Sequence, residues 1–405
     1  MFDSITFKNS VGPGPLLDIG AIAEALLFYG RVSIVGNSAT VKSLLSGIPP
    51  FIALELLRDK RIEFYYLADQ VAISSTPTGS GRHLHGLMRF SSPQHTIEKV
   101  GPEAFRAAAG NTGQARVGSS QFTRLIQPLS HEGFDQSAVL ASILDHRATE
   151  RSVSALLSLV APGYTLGEPL LFRIEQQKEG FIVDTNLDFE EANAVYRKTV
   201  PVEHSSLSEA YLLALMQGAY EATYYAATLN SEVAVAPVER VVQSAAIESI
   251  VQRRTKSERE IDSFIELTMN DARTIREAVN TGRVPFVKVV KLLDSADKFR
   301  HWLHQQPVDA ELVKTYYQAV VSDSWADKLP AKSARWAIFT GLGVAADSFG
   351  TAPWGTIGGV AISAVDSFLC EKLLAGWKPH QFIEGDLKTL FMADPGPGKA
   401  KTVDA

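Results

Sequence analysis

From about residue 205 onward the apolar side chains recur only at helical spacing, whereas before it short runs of β-formers alternate with helical runs. One element cannot satisfy both periods, so this change constrains the fold more than any single motif. It predicts an α+β protein, mostly helical, with a small mixed α/β N-terminal part followed by an all-α C-terminal part. The matching division is a mixed α/β domain over 1–195, a helical domain over 200–393 and a disordered tail over 394–405. The Pro-Gly-Pro-Gly run of that tail has nothing to bury.

In the first part the pattern predicts a helix at Ile19–Phe28, a short strand at 31–35, and two short helices at 41–46 and 51–57 split by Pro49-Pro50. Ile62–Leu67 is rich in aromatic and branched residues and reads as a strand. The Ser/Thr/Gly/Pro stretch 74–81 reads as an exposed loop. Residues 93–160 read as short helices with glycine-containing breaks, and 170–176 with 181–185 as a β-hairpin around Gln177-Lys178-Glu179-Gly180. In the second part Ser206-Leu207-Ser208-Glu209 reads as a capping box heading a buried helix over 210–229. Helical spacing then covers 261–279, with Gly282 as its C-terminal cap, and 286–303, ended by Pro307.

Composition narrows the class. Apolar residues are 45% and charged residues 21% of the 405, enough for a sizeable core and too apolar for a disordered chain. The net charge of −6 gives no long-range attraction to nucleic acid or anionic lipid, so no nucleic-acid partner is expected. A single cysteine, Cys370, excludes an internal disulfide and fits a reducing compartment. No secretory leader and no conventional membrane span are evident, so the expected location is cytoplasmic.

No catalytic signature stands out. The nearest to one is the run 36–43, Gly-Asn-Ser-Ala-Thr-Val-Lys-Ser, between a strand and a helix. A phosphate loop needs a second glycine before the lysine, so that backbone N–H groups can wrap the phosphates. Here Val41 stands in that place, and a branched residue cannot supply that conformation. Gly36, Lys42 and Ser43, with Asp69 as a metal-organising carboxylate, are therefore weak cofactor-binding candidates, against a plain helix capped by Asn37 or Ser38. His83 and His85 are two apart and on a strand would face one way, which makes them weak metal candidates without a neighbouring acid. His301 and His304 lie one helical turn apart beside Lys298 and Arg300, which reads as a solvated face. There is no Gly-x-Ser-x-Gly, and the acids Glu190 and Glu191 suit a helix start. No cofactor and no resident metal are expected.

The unusual segment is 335–377. It is nearly uncharged and broken at 350–353, as in a helical hairpin. Ala337, Gly341 and Ala345 on one arm, and Gly355, Gly359 and Ser363 on the other, recur every four residues and give each helix a small-residue stripe for close packing. The functional expectation is a non-enzymatic, macromolecule-binding bacterial protein of regulatory or defence type, with a protein as its partner. Its alternatives are a membrane-active effector using the 335–377 hairpin and a nucleotide-binding enzyme with a degenerate phosphate loop at 36–43.

Overall fold

The structure is a computed structural model, and it describes residues 4–79, 81–91, 95–130, 143–202, 204–234, 238, 242 and 275–304. Helices and sheets are both present, so the chain is an α+β protein. It divides into two compact units, one of Asp3–Ile19 and Arg31–Thr255, the other built on Gly20–Gly30 and the residues from 256 on.

The larger unit is organised by a five-stranded parallel sheet. Its strands are β1 (Ser4–Lys8), β2 (Arg31–Gly36), β3 (Ile62–Leu67), and then β6 (Gln127–Leu129) and β9 (Glu232–Ala234), in the order β6-β3-β2-β1-β9. Ile5 pairs with Val32, and Val32 with Ile62, so the first three strands are in step. Ile5, Val32, Ile34, Val35 and Phe64 are fully buried, as the centre of a parallel sheet requires. Parallel strands need crossovers, which α2 (Ser38–Gly47) and α3 (Pro50–Arg58) supply after β2, and α4 (Ile97–Ala109) and α5 (Gly113–Leu125) before β6.

A second sheet is antiparallel. β4 (Asp69–Pro77) and β5 (His83–Ser91) form one hairpin, β7 (Phe172–Gln177) and β8 (Gly180–Thr185) another. The hairpins join where Leu84 meets Ile182 and His85 meets Phe181. Three further helices among the described residues of the unit are α6 (His146–Val160), α7 (Phe189–Tyr196) and α8 (Glu209–Thr228). Phe172, Phe181, Tyr196, Leu212 and Met216 share one buried cluster there.

Several expectations are corrected. The stretch 74–81 is not a loop, because Ser74–Pro77 belong to β4 and pair with β5 down to Pro77–His83. Beyond Pro77, Thr78 N–H donates to the Arg82 carbonyl at 2.7 Å. Serine and threonine suit a half-exposed strand as well as a loop, and only the partner strand decides. The capping box is displaced. Ser208 is the N-cap and accepts from Tyr211 N–H, while the Ser206 hydroxyl accepts from Arg197 at 2.8 Å and Glu209 serves elsewhere. The region after 205 also holds a strand, β9, which the three-residue run could not announce. Residues on both sides of 195–200 lie in this larger unit.

The smaller unit contains most of α1 (Ile19–Phe28), with α9 (Ile275–Asn280), α10 (Phe286–Val290) and α11 (Leu293–His304). The expected helix over 286–303 is thus two helices. Gly20 N–H donates to Asn280 Oδ1 at 2.7 Å. Arg300, expected on a solvated face, is buried and donates to the carbonyls of Leu26 and Leu27, at 2.5 and 3.4 Å. The last carbonyls of α1 have no acceptor role inside the helix, and the guanidinium answers them. Gly282 takes the left-handed conformation expected of a cap, with φ +71°.

The 335–377 hairpin with its stripe (Ala337, Gly341, Ala345, Gly355, Gly359, Ser363), Cys370 and the tail 394–405 lie outside the described residues. Among the described residues no single helix is long and apolar enough to cross a membrane.

Candidate functional site

In parallel sheets the carboxyl ends of the strands leave a crevice, because the chain departs there into its crossovers. Here β1 ends at Lys8, β2 at Gly36 and β3 at Leu67. Helix α8 packs against β1 and β4 at this end and carries Gln217, Glu221 and Tyr225 at i, i+4 and i+8, on one face.

Lys8 Nζ lies 2.6 Å from Glu221 Oε2, with side-chain exposures of 6% and 5%. The other carboxylate oxygen accepts from Gln217 Nε2 at 3.1 Å, and the same amide nitrogen donates to the Val71 carbonyl of β4 at 3.0 Å. Glu221 thereby has an acceptor's partner on each oxygen. Lys8 has three donors and, among the described residues, one acceptor.

A cavity of about 180 Å³ opens beside the pair. Lys8, Asn9, Asn37, Gln70, Gln217 and Glu221 supply its polar wall, and Val11, Leu67, Val71, Ala72, Ile73 and Ala214 the rest. One water needs only about 10–15 Å³ of such space, so a molecule of several atoms fits. Asn37 is the N-cap of α2. Its Oδ1 accepts from Ala39 N–H at 3.0 Å and Thr40 N–H at 3.3 Å, which leaves its NH₂ group as the donor it can offer the cavity.

Tyr225, fully buried, continues the α8 stripe in a cluster with Val35 and Leu67. Burial, and then the Glu221 carboxylate, push its phenol well above the ordinary tyrosine range, so it stands as a neutral group beside the pair. Tyr66 is pushed up to about 12 by burial and then by Glu98. A raised phenol pKa means that the folded state holds its proton more tightly. The contribution of Tyr66 to stability is therefore complete below pH 10, the unfolded value, and is lost as pH rises through about 12. In an alkaline titration followed by phenolate absorbance, Tyr66→Phe should remove one late-ionising group and flatten the fall of stability above pH 10; an unchanged profile would count against the assignment.

The weak sequence candidates separate. Gly36 ends β2, and Asn37 with Thr40 forms a capping box, Asn37 N–H donating to Thr40 Oγ1 at 3.1 Å. The N–H groups that a phosphate loop would offer are used by the loop itself. Lys42 is exposed on α2 and Ser43 half-buried, and neither lines the cavity. Asp69 opens β4 and is held by Arg89. We expect Lys42→Ala to leave stability and nucleotide binding unchanged, and Asn37→Ala to cost about 1 kcal/mol through the lost cap. Calorimetric titration with ATP and magnesium checks the first, and a micromolar Kd abolished by Lys42→Ala would overturn it.

His83 and His85 do face the same way, their ring centroids 6.3 Å apart. His85 is buried, and its Nε2 lies 2.8 Å from Glu209 Oε2 at the start of α8. Its Nδ1 is buried with no hydrogen-bond partner among the described residues. No group of three or more His, Cys, Asp or Glu converges among the described residues as metal ligands do.

The pair at the heart of the site left one trace in the sequence. Glu221 is the sole charged residue of the apolar run 210–229. A carboxylate inside a buried helix requires a cation, and Lys8, at the end of the buried strand β1, is that cation. Comparison of the chain with protein-family models, with curated proteins and with solved structures gave no match.

Proposed function

We propose that this chain binds a small polar molecule in the crevice at the carboxyl ends of β1, β2 and β3. The observation that carries the reading is Lys8: a buried ammonium in a cavity wall with one acceptor among the described residues. Buried donors are costly when unsatisfied, and a ligand oxygen at this position completes the set. The four carboxamides of Asn9, Asn37, Gln70 and Gln217 around it suit a ligand with several hydrogen-bonding groups. The test is thermal melting of the full chain against a library of small polar metabolites. Stabilising compounds should be found for the wild type, and none should act on Lys8→Met/Glu221→Met, which removes both charges and keeps apolar volume. A library without a hit, or hits that survive in the double variant, would defeat the reading.

The non-enzymatic, macromolecule-binding reading of regulatory or defence type, with a protein partner, is retained as second choice. Its support is Met88 and Phe90, which stand two apart on β5 at 51% and 46% exposure and so share one face of the strand. In that case Phe90→Ser should weaken retention of a protein partner that Lys8→Met retains. The membrane-active alternative rests on 335–377 and the nucleotide alternative on 36–43.

A further inference from the structure

We infer that the cavity beside Lys8 and Glu221 selects an uncharged ligand group bearing a carbonyl, of the carboxamide, lactam or ketone class, over a carboxylate or phosphate. The inference rests on the reading that this cavity is a ligand site, and it names the ligand's chemistry.

The argument is one of charge. Among the described residues of the cavity wall Lys8 and Glu221 are the only ionisable ones, they touch, and both are more than nine-tenths buried. Their charges cancel, so the wall is neutral before any ligand arrives. An anion that reached the spare N–H groups of Lys8 would stand beside Glu221, which already holds that lysine. Like charges so close, and out of water, repel strongly. A carbonyl oxygen accepts the same N–H groups without adding charge.

The remaining groups point the same way. Asn37 has committed its carbonyl oxygen to the first turn of α2 and has donors left for the cavity. The N-terminus of α2 adds about half a positive charge. That orients the negative end of a carbonyl dipole, and falls short of a full anion opposed by Glu221. Gln217 cannot relieve the carboxylate further, because its amide nitrogen is already shared between Glu221 and the Val71 carbonyl. Asn9 and Gln70, as carboxamides, can give and accept, which matches the N–H and C=O of an amide-type ligand.

The experiment uses two probes of equal shape, acetamide and acetate, with the full chain. The readout is the NMR shift of the Gln217 side-chain amide, which lines the cavity. In the wild type, acetamide should shift it saturably, and acetate should bind at least about tenfold more weakly. Glu221→Gln keeps the shape and removes the opposing charge, so the order should reverse in favour of acetate. Should that variant fail to fold, Lys8→Met/Glu221→Met serves instead and should lose both probes. Acetate binding as tightly as acetamide in the wild type, an amide preference that survives Glu221→Gln, or no shift from either probe would overturn the inference. If a library compound binds through Lys8 while acetate is preferred, the charge argument falls and the binding reading stands. If no library compound binds and neither probe shifts Gln217, both fall.

Discussion

Lys8→Met should cost about 3–5 kcal/mol of stability, the range for leaving one member of a buried ion pair alone. The reason lies in what remains. Among the described residues Glu221 keeps one donor, Gln217 Nε2, and its side chain is 5% exposed. Water entering from the cavity can solvate that carboxylate only in part, because an ammonium's full charge is gone. For a chain whose whole stability is of the order of 5–15 kcal/mol, such a loss is a large fraction. Lys8→Met/Glu221→Met should recover most of it, because a buried pair replaced by apolar side chains of similar volume is often neutral or stabilising. Denaturant unfolding of the two single variants and the double variant measures the coupling. Should Lys8→Met unfold at the wild-type denaturant concentration, the pair is solvated and the cavity argument loses its basis.

How far the sequence discloses this molecule depends on what each element needs from the rest. Ile19–Phe28 and Ile62–Leu67 are found at the predicted bounds, since their patterns stand on their own residues. The hairpin of β7 and β8 is equally local, with its turn residues between its strands. β1 and β9 are different. They are short, and a parallel strand has no turn to mark its partner, so only the assembled sheet shows that Ile5 lies beside both Val32 and Glu232. β4 was hidden by its serines and threonines, which only the facing β5 makes into a strand. The site was least legible. It joins the end of the first strand to the middle of α8, and no motif spacing spans that distance. The trace was an acid in an apolar helix, an inconsistency that a buried partner resolves.

Gly180→Ala should destabilise by about 3 kcal/mol or more, because strain and overpacking act together there. The turn between β7 and β8 has Lys178 and Glu179 at its tip, and the left-handed backbone falls on Gly180, with φ +125°. Only glycine adopts that conformation readily. A Cβ at 180 would also stand 2.2 Å from the His85 carbonyl oxygen. That oxygen belongs to backbone, at the His85–Phe181 pair, and cannot swing aside as a side chain can. Relief requires β8 to draw away from β5 where the two hairpins are joined by only the pairs at Leu84 and His85. The cost therefore extends beyond the turn. His85 would shift against Phe181 and Glu209, and Glu209 is the first residue of the helix that carries Gln217 and Glu221. Gly167→Ala is the control, since a Cβ there meets nothing within 4 Å and the backbone is not left-handed. Thermal melting should separate the two variants widely, and a Gly180→Ala protein that melts with the Gly167→Ala protein would show that β5 and β8 are not held together at this point.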